Sequence, residues 1–408
     1  MAGGLRAPFY RYWVSGFLAD FGDGVRLAAF PLLAAQLTRS PAAVAAVTAV
    51  QGLPWLLLGS GLGVLVDRAD RRRLMVMVDI ARTAVIMALA AAIVMHGAGL
   101  WLVYLTAFVT GIGSALRDTA AVTCVPRLAG PADLEAANAR VIAGQIVGNE
   151  LAGPAAGGWL FGVAAVLPFA VNASTMGLAI LLLLTLPAVF GPVPGERASR
   201  SPGSVLGSVR HELGEGLRWL RQHRDVRDVT LAAGVISAAD ASWFAVLVLY
   251  VVQVLGRPPG TYGLLVAVGA VGGVIAGGLG ARLARWLGPW RSLVSAGLVL
   301  AATQAALGLT SSVVIAAAML FASSAAFALF NMTAITMRQR QVPAALLGRV
   351  TSLYGTVVRG AEALGAVIGG ALASAAGVRA PMLAGAAPIA AVTIVLAARQ
   401  RREHPPGR

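Results

Sequence analysis

From Phe9 to the arginines near its C-terminal end, the sequence returns to apolar stretches of twenty or more residues separated by short arginine-bearing segments. A membrane span needs roughly 20 consecutive, mostly apolar residues, and within lipid only structures that satisfy their own backbone polar groups are viable. Of the 408 residues, 58% are hydrophobic and 12% charged. Soluble domains run at about half and about a quarter, so the apolar excess has no globular core to fill. Twelve spans are read at 9–37, 41–66, 74–96, 98–125, 136–162, 164–191, 228–255, 260–286, 288–309, 311–337, 343–375 and 379–398. The expectation is an all-α polytopic membrane protein. It would comprise an N-terminal six-helix half (1–191), a cytoplasmic linker (192–227) and a C-terminal six-helix half with a short tail (228–408).

The 32 residues counted as Lys plus Arg are all arginine. Sorting them between spans places 25 on one side and only Arg39, Arg257 and Arg379 on the other, with four inside spans. Positive residues near span ends are retained in the cytoplasm, so both termini are expected there, in a cell membrane. The net charge of +15 then sets topology and contacts anionic lipid; it is not read as a nucleic-acid surface. Without lysine there is no P-loop lysine and no Schiff-base lysine. A lone Cys124 and four scattered histidines offer no disulfide and no expected metal site or cofactor. The apolar stretch starting near Phe9 is too long for a signal-peptide core. In the linker, Val205, Val209, Leu213, Leu217 and Leu220 recur at helical spacing, which predicts an amphipathic helix on the inner surface.

An internal repeat is visible. Span 5 reads Glu150, Gly153, Gly157, Gly158, Leu160, and span 11 reads Glu362, Gly365, Gly369, Gly370, Leu372, the same pattern displaced by 212 residues. Asp23 precedes Arg39 in span 1 much as Asp240 precedes Arg257 in span 7. Membrane transporters are commonly built from such repeats.

After span 2 the chain reads Gly63-Val64-Leu65-Val66-Asp67-Arg68-Ala69-Asp70-Arg71-Arg72-Arg73. This resembles the loop signature of the major facilitator superfamily, with Asp70 where that pattern has Gly. Gly153-Pro154-Ala155-Ala156-Gly157-Gly158 is similar to the core of its antiporter-associated motif. Phe17 to Asp23, with Asn138-Ala139, resembles the branch containing enterobactin-type siderophore exporters and macrolide efflux proteins. The resemblance implies a fold in which spans 1, 4, 7 and 10 line a central cavity. It also implies a conformational latch drawn from Gly63, Asp67, Arg68, Arg71 and Arg72.

Charges at membrane depth are costly and are functional suspects by default. Asp23 lies about 21 Å into span 1 at 1.5 Å per residue. Arg26 shares its face three residues on. The pair reads either as a structural ion pair or as a coupling carboxylate with its modulator. Asp240 has no arginine within a turn, and Glu150 stands one turn before the span 5 glycines, so both are coupling candidates. Arg359 and Glu362 are spaced for a local ion pair. Arg117, Trp243, Phe330, Asn331 and Glu362 are candidates for the cavity wall, with lipid-facing or packing roles as the alternative for the aromatics.

The expected activity is secondary transport: efflux of a small organic molecule in exchange for protons, by a monomer, with no enzymatic chemistry. Import or uniport of a nutrient, and a non-transporting receptor or membrane-embedded enzyme, are the competing readings.

Overall fold

The computed structural model describes residues 7–68, 70–129, 133–186 and 217–403. Among them the regular structure is helical, with no strand. The elements are α1 (Ala7–Leu37), α2 (Pro41–Arg68), α3 (Arg71–Val94), α4 (Leu100–Ala129), α5 (Leu134–Gln145), a π-turn (Ile146–Ala152), α6 (Gly153–Val163) and α7 (Leu167–Leu184). After the linker come α8 (Arg224–Phe244), α9 (Leu247–Leu249) running into a second π-turn (Tyr250–Val254), α10 (Gly260–Leu287), α11 (Pro289–Leu309), α12 (Val313–Gln341), α13 (Ala344–Ala376) and α14 (Ala380–Glu403). Eight described helices are long and apolar enough to cross a membrane, and a bent pair makes a ninth. The first helix carries Asp20, Asp23 and Arg26 mid-length, and the 134–163 segment is divided by its π-turn.

Two compact units form. Unit 1 holds 1–39, 50–199 and 257–267; unit 2 holds 40–49, 200–256 and 268–408. In unit 1, Phe9, Tyr12, Leu74, Met75, Cys124, Val125 and Leu183 build a buried cluster. In unit 2, α8, α11, α12 and α14 contribute Ile236, Leu293, Leu300, Phe330, Ile389 and Leu396 to another.

Two predicted spans are not continuous α-helices. In the fifth, Pro154 has no N–H to offer the carbonyl of Glu150. The ladder widens there, and the N–H of Gly153 bonds to the carbonyl of Gly148, five residues back. In the seventh, α8 ends at Phe244 and the chain turns by 42° before continuing. There the N–H of Val246 bonds to the carbonyl of Trp243, and that of Leu255 to the carbonyl of Tyr250. The Tyr250 hydroxyl, shared between the carbonyls of Leu307 (2.9 Å) and Thr310 (3.1 Å), pins the widened segment.

Most of the predicted surface helix (204–223) lies outside the described residues, which resume at 217. Its end, residues 217–222, is helical. There Trp219 and Leu220 are buried against Val226, Val342 and Val350, so this end packs on protein.

Candidate functional site

The glycine pattern of the sequence becomes close helix packing. A Cβ on Gly153 would strike Gly24, and one on Gly157 would strike the backbone of Val25, so α6 lies directly on α1. The same occurs in unit 2, where Gly365 and Gly369 of α13 meet the backbone of Ala238 and Ser242 in α8. The third members extend the symmetry: Gly158 packs on Gly263, and Gly370 on Ala42 and Ala45. Each of these contacts lies within one compact unit, which explains physically why 257–267 is held in unit 1 and 40–49 in unit 2. Small residues let backbones approach in lipid, where dispersion rather than hydrophobicity holds helices together.

At the centre of unit 1, α1, α3 and α4 bring five charged side chains together. Asp23 accepts from Arg26 Nη2 at 3.2 Å and from Arg82 Nη2 through both carboxylate oxygens. Arg82 Nη1 reaches Asp79 Oδ1 at 3.4 Å, and Asp79 also accepts from Arg117. All five are buried, with Asp79 and Arg82 at 0% exposure. Neutral acceptors add to the shell. Arg26 Nη1 donates to Thr110 Oγ1 (3.0 Å), Arg82 Nη2 to Ser114 Oγ (3.1 Å) and Arg117 Nη2 to the Ser15 carbonyl (3.4 Å). Arg26 also sits over the Phe30 ring at 5.1 Å. Gly113 leaves room for the Arg82 stem, since a Cβ there would lie 2.6 Å from Arg82 Cγ.

Asp79 was not among the residues expected from sequence, and Arg82 was counted only as an arginine inside a span. Their signal was present: Asp79 and Arg82 repeat within span 3 the Asp-x-x-Arg spacing of Asp23 and Arg26. Arg117 belongs to this network and is 6% exposed, so it is a buried ion-pair partner.

Unit 2 is built differently. Asp240 accepts a hydrogen bond from Trp243 Nε1 at 3.2 Å, and among the described residues it has no ion-pair partner. Gln304 donates to the neighbouring Ala239 carbonyl at 3.2 Å. Glu362, half-buried, pairs loosely with the exposed Arg359 at 3.8 Å. Asn331 Oδ1 accepts from the Tyr354 hydroxyl at 3.4 Å, and Arg338 lies over that ring at 3.9 Å. Phe330 does not line a cavity: at 1% exposure it is a core residue beside Leu329, Leu300 and Ala334. Trp243 is likewise buried, at 4%. Glu150 lies exposed on the π-turn, without an ion-pair partner among the described residues.

Of the loop residues expected to form a latch, the side chains of Gly63, Asp67 and Arg68 lie outside the described residues. Arg71 is buried, and Arg72 donates to the Leu184 carbonyl. Asp70 caps α3: its carboxylate accepts from the Arg73 N–H at 3.0 Å. That role accounts for an acidic residue where the related pattern has Gly. No described group of three His, Cys, Asp or Glu side chains could hold a metal ion.

Membrane-length helices in two compact units, with paired charges sunk at mid-span, define a multi-pass membrane transporter architecture. The sequence matches the family described as transmembrane secretion effector over residues 4–404, and the chain belongs to that family of the major facilitator superfamily. The fold is shared with solved transporters at low identity. The nucleoside transporter NupG is 12% identical, with 96% of this chain and 99% of that one covered and a TM-score of 0.74. A bacterial homologue of the iron transporter ferroportin in an inward-facing state is 17% identical, with 97% and 99% covered and a TM-score of 0.75. A bacterial homologue of the lysosomal transporter Spinster is 16% identical, with 98% of each chain covered and a TM-score of 0.73. Comparison with curated proteins gave no match.

Proposed function

We propose that this transporter exports a small organic molecule, of drug, macrolide or siderophore type, from the cytoplasm in exchange for protons. It would act as a monomer in the cell membrane with both termini inside, its two six-helix halves alternating access to a midplane site. The observation that carries the reading is the unequal treatment of two intramembrane carboxylates. Asp23 is compensated by Arg26 and Arg82, and such a group holds helices in register. Asp240 meets one neutral indole donor, so binding a proton cancels a charge that no ionic partner among the described residues balances. A proton crossing 100 mV delivers about 2.3 kcal/mol, enough to bias an alternating cycle.

The test is transport in proteoliposomes with an imposed pH gradient. Asp240→Asn should abolish gradient-driven accumulation while retaining passive exchange of substrate across equal pH. Undiminished proton-driven transport by this variant would overturn the assignment, and uptake driven in the opposite direction would identify an importer. Asp67 is assigned the latch at the inner end of α2, so Asp67→Asn should slow turnover with substrate affinity unchanged. A selective loss of affinity would contradict that role.

A further inference from the structure

Where α10 and α12 end and α11 begins, unit 2 forms a partly open cavity of about 700 Å³. This lies inside the range of roughly 300–1,000 Å³ typical of small-molecule sites. Neither Asp240 nor Glu362 lines it, and no carboxylate is among its wall residues. Arg285 and Arg340 supply its charge; Ala284, Trp290, Met332 and Met337 supply much of its apolar surface. The tight turn that shapes it depends on Gly288, whose φ of 78° suits glycine, followed by Pro289 at the start of α11.

Three features define what this cavity can hold. First, its threonines are already committed: Thr333 donates to the Leu329 carbonyl at 2.8 Å and Thr336 to the Met332 carbonyl at 2.9 Å. Beside them stand the Arg285 and Arg340 guanidinium groups and the Gln341 amide, a set of donors suited to phosphate oxygens. Second, its depth is interfacial. Ala284 and Arg285 lie past the apolar window Gly260–Gly280, and Pro289 and Trp290 open the span Pro289–Leu309. Third, the helices forming it carry an outward apolar face close by, with Leu279 at 54%, Leu283 at 40%, Trp286 at 82% and Ile335 at 41% exposure. A soluble anion has no use for that face, whereas acyl chains do.

We propose that the cavity binds the headgroup of an anionic phospholipid, with the phosphate held by Arg285 and Arg340 and the chains lying along the exposed face of α10 and α12. Basic pockets between helices at the membrane surface hold anionic headgroups in this way. The site is independent of the proton-coupling assignment, since it shares no residue with it.

The experiment is native mass spectrometry of the full-length purified protein. It would be titrated with phosphatidylglycerol, with phosphatidylcholine, and with phosphatidylglycerol in the presence of inorganic phosphate. The expected result is retention of phosphatidylglycerol over phosphatidylcholine, undisturbed by millimolar phosphate. At about 1 kcal/mol per arginine, Arg285→Gln should weaken retention about fivefold, and the double variant with Arg340→Gln about 25-fold. Ala284→Phe fills the cavity with its charges intact and should lower retention as well, which keeps the test decisive if the double variant folds poorly. Equal retention of both lipids, or wild-type retention in the folded variants, would overturn the site. Displacement by inorganic phosphate would make it a site for a free anion and refute the lipid assignment.

Discussion

The five-residue network in unit 1 holds three arginines and two aspartates in direct contact, and this imbalance leads to a specific asymmetry. Replacing Arg82 with Gln leaves two intact pairs, Asp23 with Arg26 and Asp79 with Arg117, and lowers the net charge of the cluster from +1 to zero. Each charge-assisted hydrogen bond is worth about 1.5–3 kcal/mol, but both aspartates keep an arginine and the Gln amide can donate in place of the guanidinium, so a net loss of about 2 kcal/mol is expected. Replacing Asp79 with Asn instead strips Arg117 of its carboxylate, leaving it a 3.4 Å bond to the Ser15 carbonyl, and raises the cluster to +2. Removing one partner of a buried pair typically costs about 3–5 kcal/mol, because the other charge stays buried and uncompensated. The Asn amide oxygen can still accept from Arg117, so a loss at the low end, about 3 kcal/mol, is expected. Asp79→Asn should therefore destabilise more than Arg82→Gln, although Arg82 makes more contacts. The double variant Asp79→Asn with Arg117→Gln should recover part of the loss, because it removes the stranded charge. Equilibrium unfolding in mixed micelles on titration with dodecyl sulfate measures the wild type, the single variants Arg82→Gln, Asp79→Asn and Arg117→Gln, and the double variant. If Arg82→Gln proved the more damaging single change, or if the two changes of the double variant simply added, the charge-balance reasoning would be refuted.

Two further outcomes follow from the packing. Gly369→Ala places a methyl group against the Ser242 backbone and should cost about 1–3 kcal/mol in the same unfolding assay, whereas Gly177→Ala, with nothing within 4 Å, should be nearly neutral. Asp70→Ala removes the cap of α3 and should destabilise by about 0.5–2 kcal/mol, while Asp70→Gly should cost only a few tenths; equal effects would show that the carboxylate does not act as a cap.

Much of the architecture was legible because lipid imposes so few options. A run of apolar residues must be a helix, the arginines mark where helices end, and glycines recurring at a constant offset of 212 mark where backbones touch. Asp23 with Arg26 and the singular position of Asp240 were also open to reading, since both depend on spacing within one helix. The partners of Asp23 and Arg117 were not, because Arg82 and Asp79 approach them from α3, and a one-dimensional pattern does not say which faces of separate helices meet. The π-turn before Gly153 and the bend after Phe244 were hidden for a related reason: Pro154 announces a missing donor but not how the ladder closes around it, and the 244–247 break contains neither Pro nor Gly. Phe330 shows the limit from the other side, since an aromatic on an apolar helix can face a cavity, lipid or a core, and here packing assigned it to the core. The chain's own residues thus dictate where helices form and where charge enters the membrane; which charges are paired, and which carboxylate is left to a neutral partner, depends on helices brought together from distant parts of the chain.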